Sequence, residues 1–205
     1  MPFTKYAVET FITDKITKVT ECSATDVLPE FPSASQWLSG FGLMVMFVDQ
    51  PRKEIRPFAL QFLRRVEMAI SEYSQACKEL QGLVSGDRGR WSPYFRALYH
   101  FEASLGQLYQ AYDLSRKVLG KNFFAGGDGT PLDRLNQIYN NTKHQRATED
   151  QPVWISNSGI ETTNIKLSFH EIEELLRSYG RIAVKLTSTS SEQGGTTGGS
   201  KDAYR

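Results

Sequence analysis

The chain has 205 residues, of which 40% are hydrophobic and 23% charged, an ordinary globular composition that favours one domain with a sizeable core. Its 24 basic and 23 acidic side chains give a formal net charge of +1, so any contact with nucleic acid must come from a local patch. The most apolar run, residues 41–48, is far shorter than the ~20 residues that cross a bilayer. We therefore expect a cytoplasmic protein that has no membrane segment and buries this run.

Motifs of several enzyme and metal-binding classes are missing from the sequence. It has no phosphate-binding loop, no HExxH and no GxSxG. Its two cysteines, Cys22 and Cys77, have no histidine or second cysteine at ligand spacing, so we expect no metal ion and no cofactor. Two separated cysteines are typical of a reduced, intracellular chain, although a disulfide between them stays open.

The first 48 residues predict two helices beside the main core. Apolar residues recur at moderately helical spacing over residues 4–22. Ser33 and Gln36 have the spacing of a capping box that opens a short helix into residues 41–48, and residues 49–51, Asp-Gln-Pro, end that helix. We expect these helices to cover one side of the core or to extend a dimer face.

Two long amphipathic helices follow. Residues 55–80 have apolar side chains at steps of three and four, which predicts one buried stripe. Ser92 is a natural N-cap and Pro93 suits the first helical position, so the next helix is expected from Ser92 to Leu119, before Gly120. Its main stripe comprises Tyr94, Leu98, Phe101, Leu105, Leu108 and Tyr112.

The last third of the chain predicts two more helices with a β-like segment between them. Thr130 caps a helix that ends near residues 144–146. Residues 152–167 contain short β-like runs around a glycine turn, which predicts a hairpin or an extended loop. Ser168 and Glu171 then form the clearest capping box in the chain and open the final helix.

Four long helices joined by short connections bury their stripes best as a bundle. The sequence therefore predicts an all-α protein with a four-helix bundle over residues 55–187 and extra helices within residues 4–48. We expect one domain over residues 1–187 and a disordered Ser/Thr/Gly-rich tail over residues 188–205.

His144 is the histidine best placed for chemistry. It ends a run that contains Asn140, Asn141 and Lys143, at a helix terminus ahead of a polar loop that contains Arg146. A histidine with a pKa near neutrality can transfer protons. Lys143 or Arg146 can neutralise a phosphate, and the asparagines can position it.

Structural roles for these residues are open alternatives. The helix dipole favours a histidine at a helix C-terminus, and an ideal helical wheel places His144 with Asp133 on the solvent side. Glu102 lies in an aromatic stripe of the preceding long helix. It either pairs with Arg64 or Arg65 of the neighbouring helix or orients His144 across the bundle.

One pattern spans residues 55–186: the helix order, the run Tyr139-Asn140-Asn141-Thr142-Lys143-His144, the run Val153-Trp154-Ile155 with Ser158-Gly159, and the helix start Ser168-Phe169-His170-Glu171-Ile172. This pattern resembles the HEPN-like superfamily of prokaryotic helical bundles. The resemblance implies a four-helix bundle that commonly forms homodimers. Many members are metal-independent ribonucleases of toxin–antitoxin or antiviral defence systems, in which the catalytic histidine would correspond to His144.

The sequence departs from the ribonuclease members of that family at one residue. Asn140 and Asn141 occupy the neighbourhood of the expected arginine, and Arg134 lies ten positions before His144, about 15 Å along a helix. The residues therefore favour a non-catalytic or degenerate bundle that acts as a homodimer and binds RNA or a partner protein. The alternative from the same resemblance is a metal-independent endoribonuclease that uses His144.

A third hypothesis is a small-molecule site between the helices, lined by Tyr99, Tyr109, Tyr112 and Glu102. For an interaction protein, tryptophans are candidate contacts because this residue type is enriched at interfaces. The three tryptophans are Trp37, Trp91 and Trp154.

Overall fold

The computed structural model describes residues 22–84, 92–143 and 153–188. These residues form five α-helices: α1 Trp37–Val48, α2 Arg56–Val84, α3 Ser92–Leu119, α4 Pro131–Lys143 and α5 Phe169–Thr187. They also form three β-strands: β1 Trp154–Ser156, β2 Gly159–Glu161 and β3 Lys166–Ser168. The described chain is thus mainly helical, as predicted, and carries a small sheet in addition.

Helices α2 and α3 pack antiparallel and form the largest part of the core. At the start of α2, Phe58 lies beneath the Lys117 ammonium, 5.2 Å from the ring centroid. In the middle, the Ser104 hydroxyl donates to the carbonyl oxygen of Ala69 at 2.8 Å. The apolar stripes predicted for both helices are buried at Phe62, Val66, Ala69, Tyr73, Ala76, Leu80, Tyr94, Phe101, Leu105, Leu108 and Tyr112.

Helix α5 packs against both α2 and α3. Its start is fixed by the predicted capping box: Ser168 Oγ accepts from the backbone N–H of Glu171 at 3.3 Å, and the Glu171 carboxylate accepts from the Ser168 N–H at 3.0 Å. Directly after the cap, Phe169 packs on Phe101 of α3, with ring centroids 5.3 Å apart. The capping-box prediction is confirmed.

The sheet is an antiparallel meander in the order β1-β2-β3. The predicted hairpin or extended loop is instead a three-stranded sheet, because an additional strand, β2, begins at the predicted turn residue Gly159 and pairs with both β1 and β3. A Cβ at Gly159 would lie 2.8 Å from the Cα of Ser168, so β3 approaches this backbone too closely for any other residue. The sheet is anchored to α3, because the Ile155 N–H donates to the Tyr94 hydroxyl at 2.9 Å.

The segment before α1 runs along α5. Thr25 donates its backbone N–H to the buried Glu173 carboxylate at 2.8 Å, and the Tyr73 hydroxyl of α2 donates to the same oxygen at 3.0 Å. Further along, the ring of Phe31 packs on Gly180. These contacts join three parts of the chain that are far apart in sequence.

Helix α1 begins without the predicted capping box. Ser33 precedes a short 3₁₀ turn, Ala34–Gln36, and its side chain makes no capping hydrogen bond. A capping box requires the α-helix to start directly after the serine, and here the 3₁₀ turn intervenes. The helix ends where the sequence predicts, because Asp49 adopts the left-handed conformation with φ 53°.

Several predicted features lie outside the described residues: the helix over residues 4–22 except Cys22, the tail over residues 188–205 except Ser188, and the residues His144 and Arg146. Their predictions are neither confirmed nor contradicted. Within the described ranges, none of the helices combines the length and apolar character that crossing a membrane requires.

Candidate functional site

The C-terminal end of α4 carries three of the predicted site residues. Asn140 is exposed, and its amide donates to the side-chain oxygen of Asn136 at 3.1 Å. Asn141 is half-buried. Lys143 is exposed, with its Nζ atom 5.8 Å from the centroid of the Tyr139 ring. The described interactions of Asn140 and Lys143 are with their own helix, so their phosphate-binding role stays a prediction.

Glu102 is a half-buried carboxyl on α3, and burial raises its pKa. The predicted pairing with an arginine of α2 is wrong, because Arg65 donates to Gln107 at 2.7 Å instead and Arg64 is exposed. Within the described ranges, the carboxylate of Glu102 makes neither a hydrogen bond nor an ion pair. Its proposed role in orienting His144 stays a prediction.

Arg134, the arginine that precedes the predicted histidine, is held by structural contacts. One guanidinium nitrogen donates to the Lys166 carbonyl of β3 at 2.8 Å, and another forms an ion pair with Glu171 of α5 at 2.5 Å. An arginine engaged in this way ties α4 to the sheet and to α5, and it is not free to neutralise a phosphate.

Asp133 is buried, contrary to the helical wheel that placed it on the solvent side. Its carboxylate accepts hydrogen bonds from the backbone N–H groups of Gly127 and Gly129 at 2.9 and 3.1 Å, so the preceding loop covers this face of α4. The Asp133 N–H donates to the hydroxyl of Thr130 at 3.3 Å, which confirms the predicted cap. The helical-wheel prediction is wrong for Asp133 because a wheel represents the helix alone and leaves out the loop that packs on it.

His100 has the geometry of a histidine–carboxylate pair. Its Nδ1 atom lies 2.6 Å from Glu72 Oε2, and one helical turn earlier Arg96 pairs with Glu79 at 2.8 Å. Ser104 is the next hydroxyl on this helix, one turn after His100, but it is buried and donates to a backbone carbonyl. The Ser104 hydroxyl is therefore not the accessible nucleophile that a catalytic triad requires, and the His100–Glu72 pair links α2 to α3.

The aromatic residues proposed for a small-molecule site do not converge. Tyr99 is 66% exposed whereas Tyr112 is 3% exposed, and 13 residues of helix separate them by about 20 Å. Tyr109 stacks on Tyr139 of α4, with ring centroids 4.6 Å apart. That stack fills the contact between the two helices, which disfavours a ligand site there.

Helix α1 presents a contiguous apolar surface, here named the α1 apolar face and formed by Leu43, Met46, Phe47 and Val48. These side chains are 56%, 76%, 79% and 46% exposed, although residues 41–48 were predicted to be buried. That prediction holds for Phe41, holds in part for the half-buried Met44 and Val45, and fails for the four exposed residues, because α2 and α5 contact α1 on one side and its other side is equally apolar.

The two tryptophans within the described residues are not the exposed contacts that the sequence suggested. Trp37 is buried, and its ring packs edge-on against Phe31 with centroids 5.9 Å apart. Trp154 is half-buried in β1, and Trp91 lies outside the described residues. The exposed apolar contacts come from α1 instead.

The described thiols and acidic residues show no reactive or metal-binding site. Cys22 and Cys77 are both free. Burial, with the nearby Asp26 carboxylate, raises the pKa of the Cys77 thiol to about 12, and burial also raises the pKa of Cys22. Neither is therefore an activated thiolate near neutral pH. Among the described residues, no three His, Cys, Asp or Glu side chains are grouped to hold a metal ion.

Comparison of the chain with family models, with curated proteins and with solved structures found no match. The fold defines a mainly helical protein with a three-stranded antiparallel sheet.

Proposed function

We propose that this chain is a non-catalytic, HEPN-like helical interaction protein that acts as a homodimer, with the α1 apolar face as the interface. The observation that carries the proposal is the exposure of four large apolar side chains, each at least 46% exposed, on one short helix. Single exposed apolar residues are normal on protein surfaces, whereas a contiguous patch of this kind marks an interaction site.

A second copy of the chain suits this face because the face carries no charge. Helix α1, WLSGFGLMVMFV, has no charged residue among its 12 positions. In a two-fold dimer the same patch meets itself, so a charged face would place like charges together, and this one does not. Gly42 is also exposed with open space around it, which lets a second helix approach closely.

The energetics favour a dimer of moderate affinity. Burying the exposed parts of eight side chains, four from each protomer, contributes roughly 1–2 kcal/mol each, or about 8–16 kcal/mol. Loss of translational and rotational freedom opposes this by about 4–15 kcal/mol. The difference is compatible with dissociation constants in the micromolar range rather than the picomolar range.

The packing of the helices supports the HEPN-like, four-helix part of the proposal. Helices α2 and α3 are antiparallel, α5 packs on both, and α4 packs on α3 through Tyr139 and Tyr109. The engagement of Arg134 by Lys166 and Glu171 supports the non-catalytic part, because a ribonuclease needs a cation free to stabilise the developing phosphorane charge.

Sedimentation velocity over low to high micromolar concentrations tests the dimer. We expect the wild type to shift from monomer to dimer and Phe47→Glu to remain a monomer, because each interface would then bury two glutamates. Tyr99→Glu is the matched control, since Tyr99 is also well exposed and lies on α3. A wild type that stays monomeric, or a Phe47→Glu variant that still dimerises, contradicts the proposal.

One observation keeps the ribonuclease alternative as a second candidate. Glu102 is a half-buried carboxyl that has no partner among the described residues. His144, the residue that it would orient, lies outside the described residues, so an unpartnered Glu102 is what the ribonuclease alternative expects. RNA cleavage by the wild type and by His144→Ala in the presence of EDTA decides between them. The proposal predicts no cleavage by either; cleavage lost only in His144→Ala supports a metal-independent ribonuclease.

A further inference from the structure

A groove lies at the C-terminal end of α3, where the chain turns toward α4. It has a volume of about 530 Å³, and we name it the α3-end groove. Three of its lining residues are cations and one is an acid. The lining residues are Asp113, Arg116, Lys117, Gly120, Lys121 and Asn122, all of them exposed.

Hydrogen bonds hold one cation of the groove in place and leave the others free to bind. The Nε atom of Arg116 donates to the Asn122 side-chain oxygen at 2.6 Å, and a terminal nitrogen lies 3.5 Å from Asp113. Lys117 rests over the ring of Phe58. Lys121 makes neither a hydrogen bond nor an ion pair within the described part of the chain. The only acid of the groove lining therefore already has a partner, and two ammonium groups remain without one.

The antiparallel packing of α2 and α3 adds further positive charge to this end of the molecule. The contact between Phe58 and Lys117 places the start of α2 beside the end of α3. Residues 49–65 and 113–122 together contain eight basic and three acidic residues, although the whole chain has a net charge of only +1. Arg52 and Lys53 in this group are exposed. This is the local positive patch that a chain without an overall field needs in order to attract a polyanion.

An exposed aromatic ring adjoins the groove. Phe123 directly follows the groove residue Asn122, is 41% exposed and contacts Tyr112 edge-on, with ring centroids 6.3 Å apart. One edge of the ring is thus supported by the core while part of it faces solvent. Aromatic rings beside cationic grooves bind bases by stacking, and they do so for every base because each has a π-face.

We infer that the α3-end groove binds single-stranded nucleic acid, with phosphates on Lys117 and Lys121 and a base stacked on Phe123. The volume suits one or two nucleotides rather than a duplex. The inference is independent of the proposed homodimer, because the residues of the groove are not those of the α1 apolar face.

Fluorescence anisotropy with labelled short oligouridine and oligothymidine over a series of salt concentrations tests the inference. We expect Lys117→Gln/Lys121→Gln to bind more weakly than the wild type. Its slope of log affinity against log salt should be less steep by about 1.4, since each phosphate contact on a single strand contributes about 0.7. Phe123→Ala should weaken binding at least about fivefold through the loss of stacking.

The matched control is Lys78→Gln/Lys166→Gln, which removes two exposed lysines from α2 and β3. It should retain the wild-type affinity and salt slope, and thermal unfolding should show that all variants are folded. Three outcomes overturn the inference: no binding at low salt, an equal loss of affinity in the control variant, or binding to vesicles of anionic phospholipid without binding to either oligonucleotide.

Discussion

Replacing Gly180 with alanine tests how the segment before α1 packs on α5. Gly180 lies in the middle of α5, beneath the ring of Phe31. A Cβ built on Gly180 would lie 2.6 Å from Cε1 and 2.9 Å from Cε2 of Phe31, and closer still to Cζ. Folded proteins essentially never contain Cβ contacts this short, so the ring or the helix must move.

Two opposing effects set the size of the change. Glycine in a helix interior is less favourable than alanine by about 1 kcal/mol, so the substitution alone would stabilise the helix. Overpacking of a filled core costs about 1–3 kcal/mol. We use the upper part of this range because three ring atoms clash and the ring is also packed on Trp37. The expected net loss is about 2 kcal/mol of unfolding free energy.

Gly106→Ala is the matched control for this prediction. A Cβ on Gly106 would lie 3.7 Å from Tyr139 Cε2, an ordinary contact, so we expect a gain of up to about 1 kcal/mol from helix propensity. Urea denaturation followed by circular dichroism measures both variants. A Gly180→Ala protein as stable as the wild type refutes the packing of Phe31. In a Phe31→Ala background the penalty should disappear.

The remaining predictions concern two carboxyl groups and the α1 apolar face. Burial alone would raise the pKa of Glu171, but hydrogen bonds from Ser168 and Arg134 lower it. The stabilisation that the ionised carboxylate gives the folded protein is therefore present above the unfolded-state pKa and is lost as the pH falls through the folded-state pKa. Glu171→Gln should therefore destabilise the protein by about 1–2 kcal/mol near pH 7 and not at strongly acidic pH, as read from urea unfolding at both; an equal cost at both would count against the pairing. Burial raises the pKa of Glu102, so its charged form opposes folding above that pKa. Glu102→Gln should therefore raise the melting temperature near neutral pH but not in acid. A lower melting temperature for the variant would show that the carboxylate has a partner. Phe47→Glu should leave the melting temperature of the monomer within a few degrees of the wild type, because the side chain is 79% exposed; a large drop would show that Phe47 belongs to the core.

The helical elements were predictable because their signals are local. The apolar stripe over residues 55–80 repeats at helical spacing. The capping box of Ser168 and Glu171 marks the start of α5 within four residues. Thr130 likewise marks the start of α4. In each case the residues that make the contact are close in sequence, so a short sequence pattern is enough to predict the element.

The burial of α1 could not be predicted because its sequence has no polar side to compare with the apolar one. A helix that is apolar all round gives no periodic signal, and the buried side is then set by where α2 and α5 lie. The strand β2 was missed for a related reason. It has three residues, begins with Gly159 and is held by partners on both sides that the sequence does not reveal.

Contacts between distant residues account for the rest. Glu173 accepts hydrogen bonds from Thr25 and Tyr73, which lie 148 and 100 positions away. Arg134 meets Glu171 across 37 positions, a contact that holds this arginine in a structural role. The positive charge that α2 adds beside the α3-end groove depends on the antiparallel packing of α2 and α3, which periodicity does not specify.

Disulfide trapping across the dimer tests the proposed interface most directly. In a two-fold dimer formed by the α1 apolar face, a cysteine on that face lies close to the same residue of the second copy. Under mild oxidation, Leu43→Cys or Phe47→Cys should give a covalent dimer on a non-reducing gel, whereas Tyr99→Cys on α3 should stay monomeric. Equal cross-linking by all three variants, or none by the two α1 variants, would contradict the assignment of α1 as the dimer interface.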